Sequence, residues 1–85
     1  MKTELLKGKN AVITGACGGM GLATVDKLCL SGVNILMIDI KDPPKKYLKN
    51  DRISFSKVDV TNLTNLRKSL NKFYINKILV SILEN

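Results

Sequence analysis

The sequence predicts an α/β fold: an open, four-stranded parallel sheet with helices packed on it. Three observations carry that expectation. Nearly continuous apolar runs recur at Asn10–Thr14 and at 34–40, 53–58 and 77–83, as strands covered on both faces require. Stretches with apolar residues at helical spacing separate them. Residues 15–21, four of them glycine, lie where the first run gives way to the first helix. Strand alternating with helix is the pattern of a sheet joined by crossovers, and right-handed crossovers give the strand order 3-2-1-4.

Taken in order, Asn10-Ala11-Val12-Ile13-Thr14 is apolar and partly β-branched and ends at a glycine, which suits a buried strand. After the glycine turn, Leu22, Val25, Leu28 and Cys29 recur at helical spacing, and Gly32 is placed to stop that helix. Residues 34–40 form the second strand. Asp42-Pro43-Pro44 breaks the pattern, leaving room for one helical turn around Lys45–Leu48. Ile53, Phe55 and Val58 mark the third strand. Thr61 or Asn62 can cap a helix whose apolar stripe is Leu63, Leu66, Leu70 and Phe73. Lys77-Ile78-Leu79-Val80 is expected to start the fourth strand.

The 85 residues allow one small domain, residues 1–85, with a thin core. Cys17 and Cys29 form no C-x-x-C pair and there is no histidine, which argues against a disulfide framework or a metal site. A reducing, intracellular setting is expected, with cytoplasm and mitochondrion not distinguished. No apolar run reaches the length of a membrane span. The net charge of +7 comes mostly from lysine spread along the chain, with a local excess at Lys41, Lys45, Lys46, Lys49 and Arg52. With Tyr47 the lone aromatic among them, this reads as a solvated lysine-rich surface rather than a nucleic-acid footprint. The alternative reading is a non-enzymatic module whose basic 41–57 segment engages an acidic partner or nucleic acid.

The chemistry is expected at the glycine turn. A glycine-rich string is weak evidence alone, but Thr14-Gly15-Ala16-Cys17-Gly18-Gly19-Met20-Gly21 directly follows a strand and opens a helix. There the bare backbone can approach a pyrophosphate, and amides of the helix start, from Gly18 and Met20, face the anion. Gly21 lets the helix pack against the first strand. Asp39, 18 residues past Gly21, ends the second strand where a carboxylate accepts both hydroxyls of an adenosine ribose and repels a 2′-phosphate. That favours NAD over NADP in a Rossmann fold, although Lys41 nearby could partly accommodate a phosphate. Asp59-Val60 ends the third strand, beside the expected adenine; Asp59 alone reads first as a turn or capping residue, and the glycine motif upstream brings the ligand role level with it. Cys17 sits near a helix N-terminus, a place that can lower a thiol pKa, but reads as a bystander in a turn of small residues. Cys29 reads as packing.

Together these residues resemble the short-chain dehydrogenase/reductase family, whose Thr-Gly-x-x-x-Gly-x-Gly fingerprint is matched by Thr14, Gly15, Gly19 and Gly21. Its Asp-Val after the third strand is matched by Asp59-Val60. Residues 11–15 and 21–24 are most similar to type-2 3-hydroxyacyl-CoA dehydrogenases (17β-hydroxysteroid dehydrogenase type 10). The resemblance spans residues 8 to about 80. It implies that Gly15, Gly18, Met20, Asp39, Asp59 and Val60 contact NAD, and that the substrate carries a hydroxyl or keto group, as a 3-hydroxyacyl-CoA or hydroxysteroid does. Gly18 stands where that subfamily commonly has serine, which removes a hydroxyl contact. The family's Asn-Asn-Ala-Gly after the fourth strand is replaced by Ser81-Ile82-Leu83-Glu84-Asn85. Its catalytic serine and Tyr-x-x-x-Lys lie further on, so a truncated front portion, inactive alone and prone to associate through its open fourth-strand edge, is expected.

Overall fold

A computed structural model describes residues 6–84, with side-chain surroundings for residues 6–76. Among these, strands β1 (Asn10–Thr14), β2 (Asn34–Asp39) and β3 (Ile53–Lys57) alternate with helices α1 (Gly19–Leu30), α2 (Lys45–Leu48) and α3 (Leu63–Glu84). All strands run parallel, with β2 between β1 and β3. The middle strand is therefore apolar on both faces. Ile35 and Met37 point one way, Leu36 and Ile38 the other, and none is more than 2% exposed.

Each face of β2 has its own cover. Ile35 and Met37 meet Leu22, Val25, Leu28 and Cys29 of α1 and Tyr47 of α2. Leu36 and Ile38 meet Leu66, Leu70 and Phe73 of α3. Both faces of the sheet are thus covered, by α1 and α2 on one side and by α3 on the other. Truncating Met37 or Ile38 to alanine would cost about 2–5 kcal/mol, lost burial plus a cavity.

The helix ends follow local chemistry. At the end of α1 the Gly32 N–H donates to Cys29 O at 3.1 Å and the Val33 N–H to Leu28 O at 3.3 Å. Gly32 has φ +73°, so this is a left-handed glycine stop closed by two bonds to orphan carbonyls. At the start of α3, Asn62 Oδ1 accepts from the Asn65 N–H at 3.1 Å, which makes Asn62 rather than Thr61 the cap.

The expected fourth strand is corrected: residues 77–83 continue α3, and the sheet order is 3-2-1. No glycine or proline lies between Leu63 and Glu84. A helix already nucleated gains a hydrogen bond with each added residue. A strand beside β1 would instead need a reversal after Phe73, and Tyr74-Ile75-Asn76 supplies no glycine or proline to make it. The open fourth-strand edge therefore does not exist in this arrangement.

Candidate functional site

Parallel strands bring their C-terminal ends to one edge. Thr14 is in register with Ile38 and Asp39 with Lys57, so the glycine turn, Asp39 and the Asp59-Val60 segment emerge side by side. At Gly15 the chain turns with φ +63°. The Ala16 N–H then donates to Ile38 O at 3.2 Å, which ties the turn to β2.

The four glycines fall into two pairs. Gly15 needs its positive φ, and a Cβ on Gly21 would lie 2.4 Å from Gly15 O and 2.7 Å from Ala16 Cα. Both are required by the protein's own packing. Gly18 and Gly19 are not: a Cβ on Gly18 would make only an ordinary 3.6 Å contact, and one on Gly19 would meet nothing within 4 Å. Their bareness leaves an uncovered backbone in front of α1, which fits the approach of a phosphate group.

The first intrahelical bond of α1 runs from the Leu22 N–H to Gly18 O at 2.9 Å. The amides of Gly19, Met20 and Gly21 precede it and have no place in the helical ladder. No acidic residue lies in the first turn, so nothing there competes with an incoming anion. The Gly18 amide, expected to face a phosphate, donates to Gly15 O at 3.3 Å within the turn. Apolar side chains stand exposed at the same edge: Met20, Ile40, Val60 and Leu63.

Asp39 is the hub of the site. Its Oδ2 accepts from the Cys17 N–H at 2.9 Å and its Oδ1 from the Lys41 N–H at 3.0 Å. These bonds, the Lys41 amide foremost and then that of Cys17, hold its carboxyl below the ordinary value against a smaller desolvation effect. From the sequence, Lys41 is expected to act at this site as a cation. Its main-chain N–H is what touches Asp39. The Cys17 amide went unforeseen as a partner, and no sequence signal could have found it, since every residue type but proline carries that donor.

Asp59 behaves differently. Its Oδ1 accepts from the Thr61 N–H at 2.9 Å and the Thr61 hydroxyl at 2.7 Å, and these bonds lower its carboxyl. This is the turn role, filled on one oxygen. Cys17 is half-buried, and its thiol is raised, by burial first and then by Asp39 and Asp42; the helix end does not activate it. Cys29 packs beside the core and is raised by burial.

The basic side chains of residues 41–57 are all exposed, and three of them touch the protein. Arg52 Nη1 donates to Gly32 O at 2.9 Å, Lys57 pairs with Asp42 at 3.3 Å, and Lys46 Nζ lies 5.2 Å from the Tyr47 ring centre. A cleft of about 350 Å³ is lined by Asp26, Leu30, Tyr47, Asn50 and Ile53 among others. Ile53 begins β3 and Leu30 ends α1, so this cleft sits at the opposite edge of the sheet from Asp39. Among the described residues no group of acidic or cysteine side chains is placed to hold a metal, and no helix is long and apolar enough to cross a membrane.

The short chain dehydrogenase family model matches residues 9–82. The short-chain dehydrogenase/reductase ascJ of Acremonium egyptiacum is 45% identical over 56 residues, covering 66% of this chain and 19% of that protein. Sorbitol-6-phosphate 2-dehydrogenase of Klebsiella pneumoniae is 31% identical over 65 residues, 76% of this chain and 24% of that protein. Human polyprenol dehydrogenase is 26% identical over 83 residues, 88% and 25% respectively. The chain thus spans a quarter or less of these relatives. A short chain dehydrogenase from Leptospira borgpetersenii, solved with bound NAD+, superposes with a TM-score of 0.78 at 20% identity, covering 89% of this chain and 30% of that one.

Proposed function

The chain belongs to the short-chain dehydrogenase family, and on that premise we propose that it forms the NAD(H)-binding front portion of an oxidoreductase acting on a hydroxyl or keto group. The observation that carries the reading is the meeting of three strand ends at one edge, with Asp39 bonded to the glycine turn. The amides of Gly19, Met20 and Gly21 would receive the pyrophosphate. Asp39, with two oxygens each accepting one bond, keeps lone pairs for the ribose hydroxyls. Its charge disfavours a 2′-phosphate. Val60 and the carboxylate of Asp59 would border the adenine. When bound, the nicotinamide supplies or takes up a hydride.

A 3-hydroxyacyl-CoA or hydroxysteroid substrate is the narrower proposal, drawn from the likeness at residues 11–15 and 21–24. The relatives named for sorbitol-6-phosphate and polyprenol support the broader alcohol chemistry. Neither tyrosine of these 85 residues has a lysine four positions on: Asp51 follows Tyr47 and Ile78 follows Tyr74. These residues alone are therefore proposed to bind without turnover. Among the described residues β1 and β3 each pair on one side only, so any association of copies is proposed to run through an open sheet edge.

Calorimetric titration with NAD+ and NADP+ tests the reading. Tighter binding of NAD+ is expected, and Asp39→Ala should narrow the gap. Equal or tighter NADP+ binding overturns the cofactor preference, and no binding of either overturns the site.

A further inference from the structure

We propose that Asp39 is a positioning residue for the glycine-rich turn as well as a ribose ligand, setting through the Cys17 amide the backbone that meets the phosphates. Its ligand side rests on the dinucleotide reading above; the lock itself lies within the protein.

Between the end of β1 and the start of α1, two hydrogen bonds among the described residues reach from the turn to another element. They run from the Ala16 N–H to Ile38 O at 3.2 Å and from the Cys17 N–H to Asp39 Oδ2 at 2.9 Å. Both end on consecutive residues of β2. The parallel ladder stops at the Thr14–Ile38 pair, and the Asp39 side chain extends the tether one residue beyond the Ala16 bond. The carboxylate is itself held in orientation, because Oδ1 is taken by the Lys41 N–H at 3.0 Å.

The consequence passes along the turn. Gly15 O lies where a Cβ on Gly21 would be 2.4 Å away, so the turn and the first residues of α1 are packed backbone on backbone. A shift at Cys17 therefore shifts the amides of Gly19, Met20 and Gly21. One carboxylate thus serves two parts of the ligand, the ribose directly and the pyrophosphate through the turn. A residue that only bound ribose would leave the second untouched.

The test uses the full chain, amide hydrogen exchange, and two probes: ADP and 2′,3′-dideoxy-ADP, which lacks the ribose hydroxyls. In the wild type the Cys17 amide should exchange at least about tenfold slower than a free peptide, as a hydrogen-bonded amide does. Asp39→Ala should release Cys17 while leaving Leu36 in β2 protected. It should also weaken the dideoxy probe about fivefold, the order of one hydrogen bond. Asp39→Asn keeps a weaker, uncharged acceptor and should speed Cys17 exchange several-fold with Leu36 unchanged, which decides the matter even where the alanine variant does not fold. Cys17 exchange at the free-peptide rate in the wild type, equal Cys17 exchange in wild type and variants, or dideoxy-ADP binding untouched by Asp39→Ala each overturns the proposal. Failure of the wild type to bind either probe would instead count against the dinucleotide reading, while the exchange data still decide the lock.

Discussion

Asp39 and Asp59 occupy matching places in the fold, each at or just past the end of a parallel strand, and both carboxyls are held below the ordinary value near 3.8. Their partners differ. Among the described residues the Asp59 carboxylate bonds Thr61, two residues away. Asp39 bonds Lys41, two residues away, and also Cys17, twenty-two residues away. The first is a local turn that any Asp-x-Thr segment can form. The second joins two crossovers of the sheet. Equivalent positions and similar shifts therefore hide unequal roles: Asp59 shapes its own segment, whereas Asp39 shapes the element that carries the candidate site.

The largest effect should come from the turn that Asp39 holds. Gly21→Ala places a methyl group against the backbone of Gly15 and Ala16, which cannot rotate aside. A loss of about 3 kcal/mol is expected, at the upper end of overpacking costs, read from the urea midpoint. Gly19→Ala meets open space and should leave stability near the wild type while weakening dinucleotide binding. Equal midpoints for the two variants would break the distinction between packing and ligand-facing glycines.

Acid comes next. Both aspartates have folded pKa values below their unfolded ones, so their stabilisation is complete above the unfolded value near 3.8 and is lost as pH falls through the lower folded values. Asp39 accepts amide bonds from Lys41 and Cys17, and the neighbouring Ile40 amide and the Lys41 charge favour its charged form further. Asp39→Asn should therefore flatten the acid limb of a pH–stability curve more than Asp59→Asn. The reverse order would show that the local turn matters more than the tertiary bond.

The smallest effect belongs to Asp59. Asn62 still caps α3 when Asp59 is gone, so Asp59→Ala should lower the melting temperature less than Asn62→Ala, whose missing cap costs about 1 kcal/mol. A larger drop for Asp59→Ala would mean that its turn, rather than the cap, starts α3.

Three strands, the helix after the glycine turn, the stop at Gly32 and the cap near residue 62 could be read in the chain because each is encoded by neighbouring residues: alternation or apolar runs for strands, spacing for helices, a glycine or asparagine for ends. The run at 77–83 could not, because a short apolar segment suits a strand and a helix alike, and what precedes it decides which forms. Here the uninterrupted α3 decided it.

For the site, the sequence by itself determined the residue types at one edge: glycines where the backbone must be bare, and a carboxylate at the end of β2. Tertiary structure alone decided which glycine is required by packing and which amide Asp39 holds. The reason is physical. Residue type marks side chains and their local preferences, whereas these contacts are made by backbone groups common to almost every residue, and which of them meet depends on how β1, β2 and α1 pack.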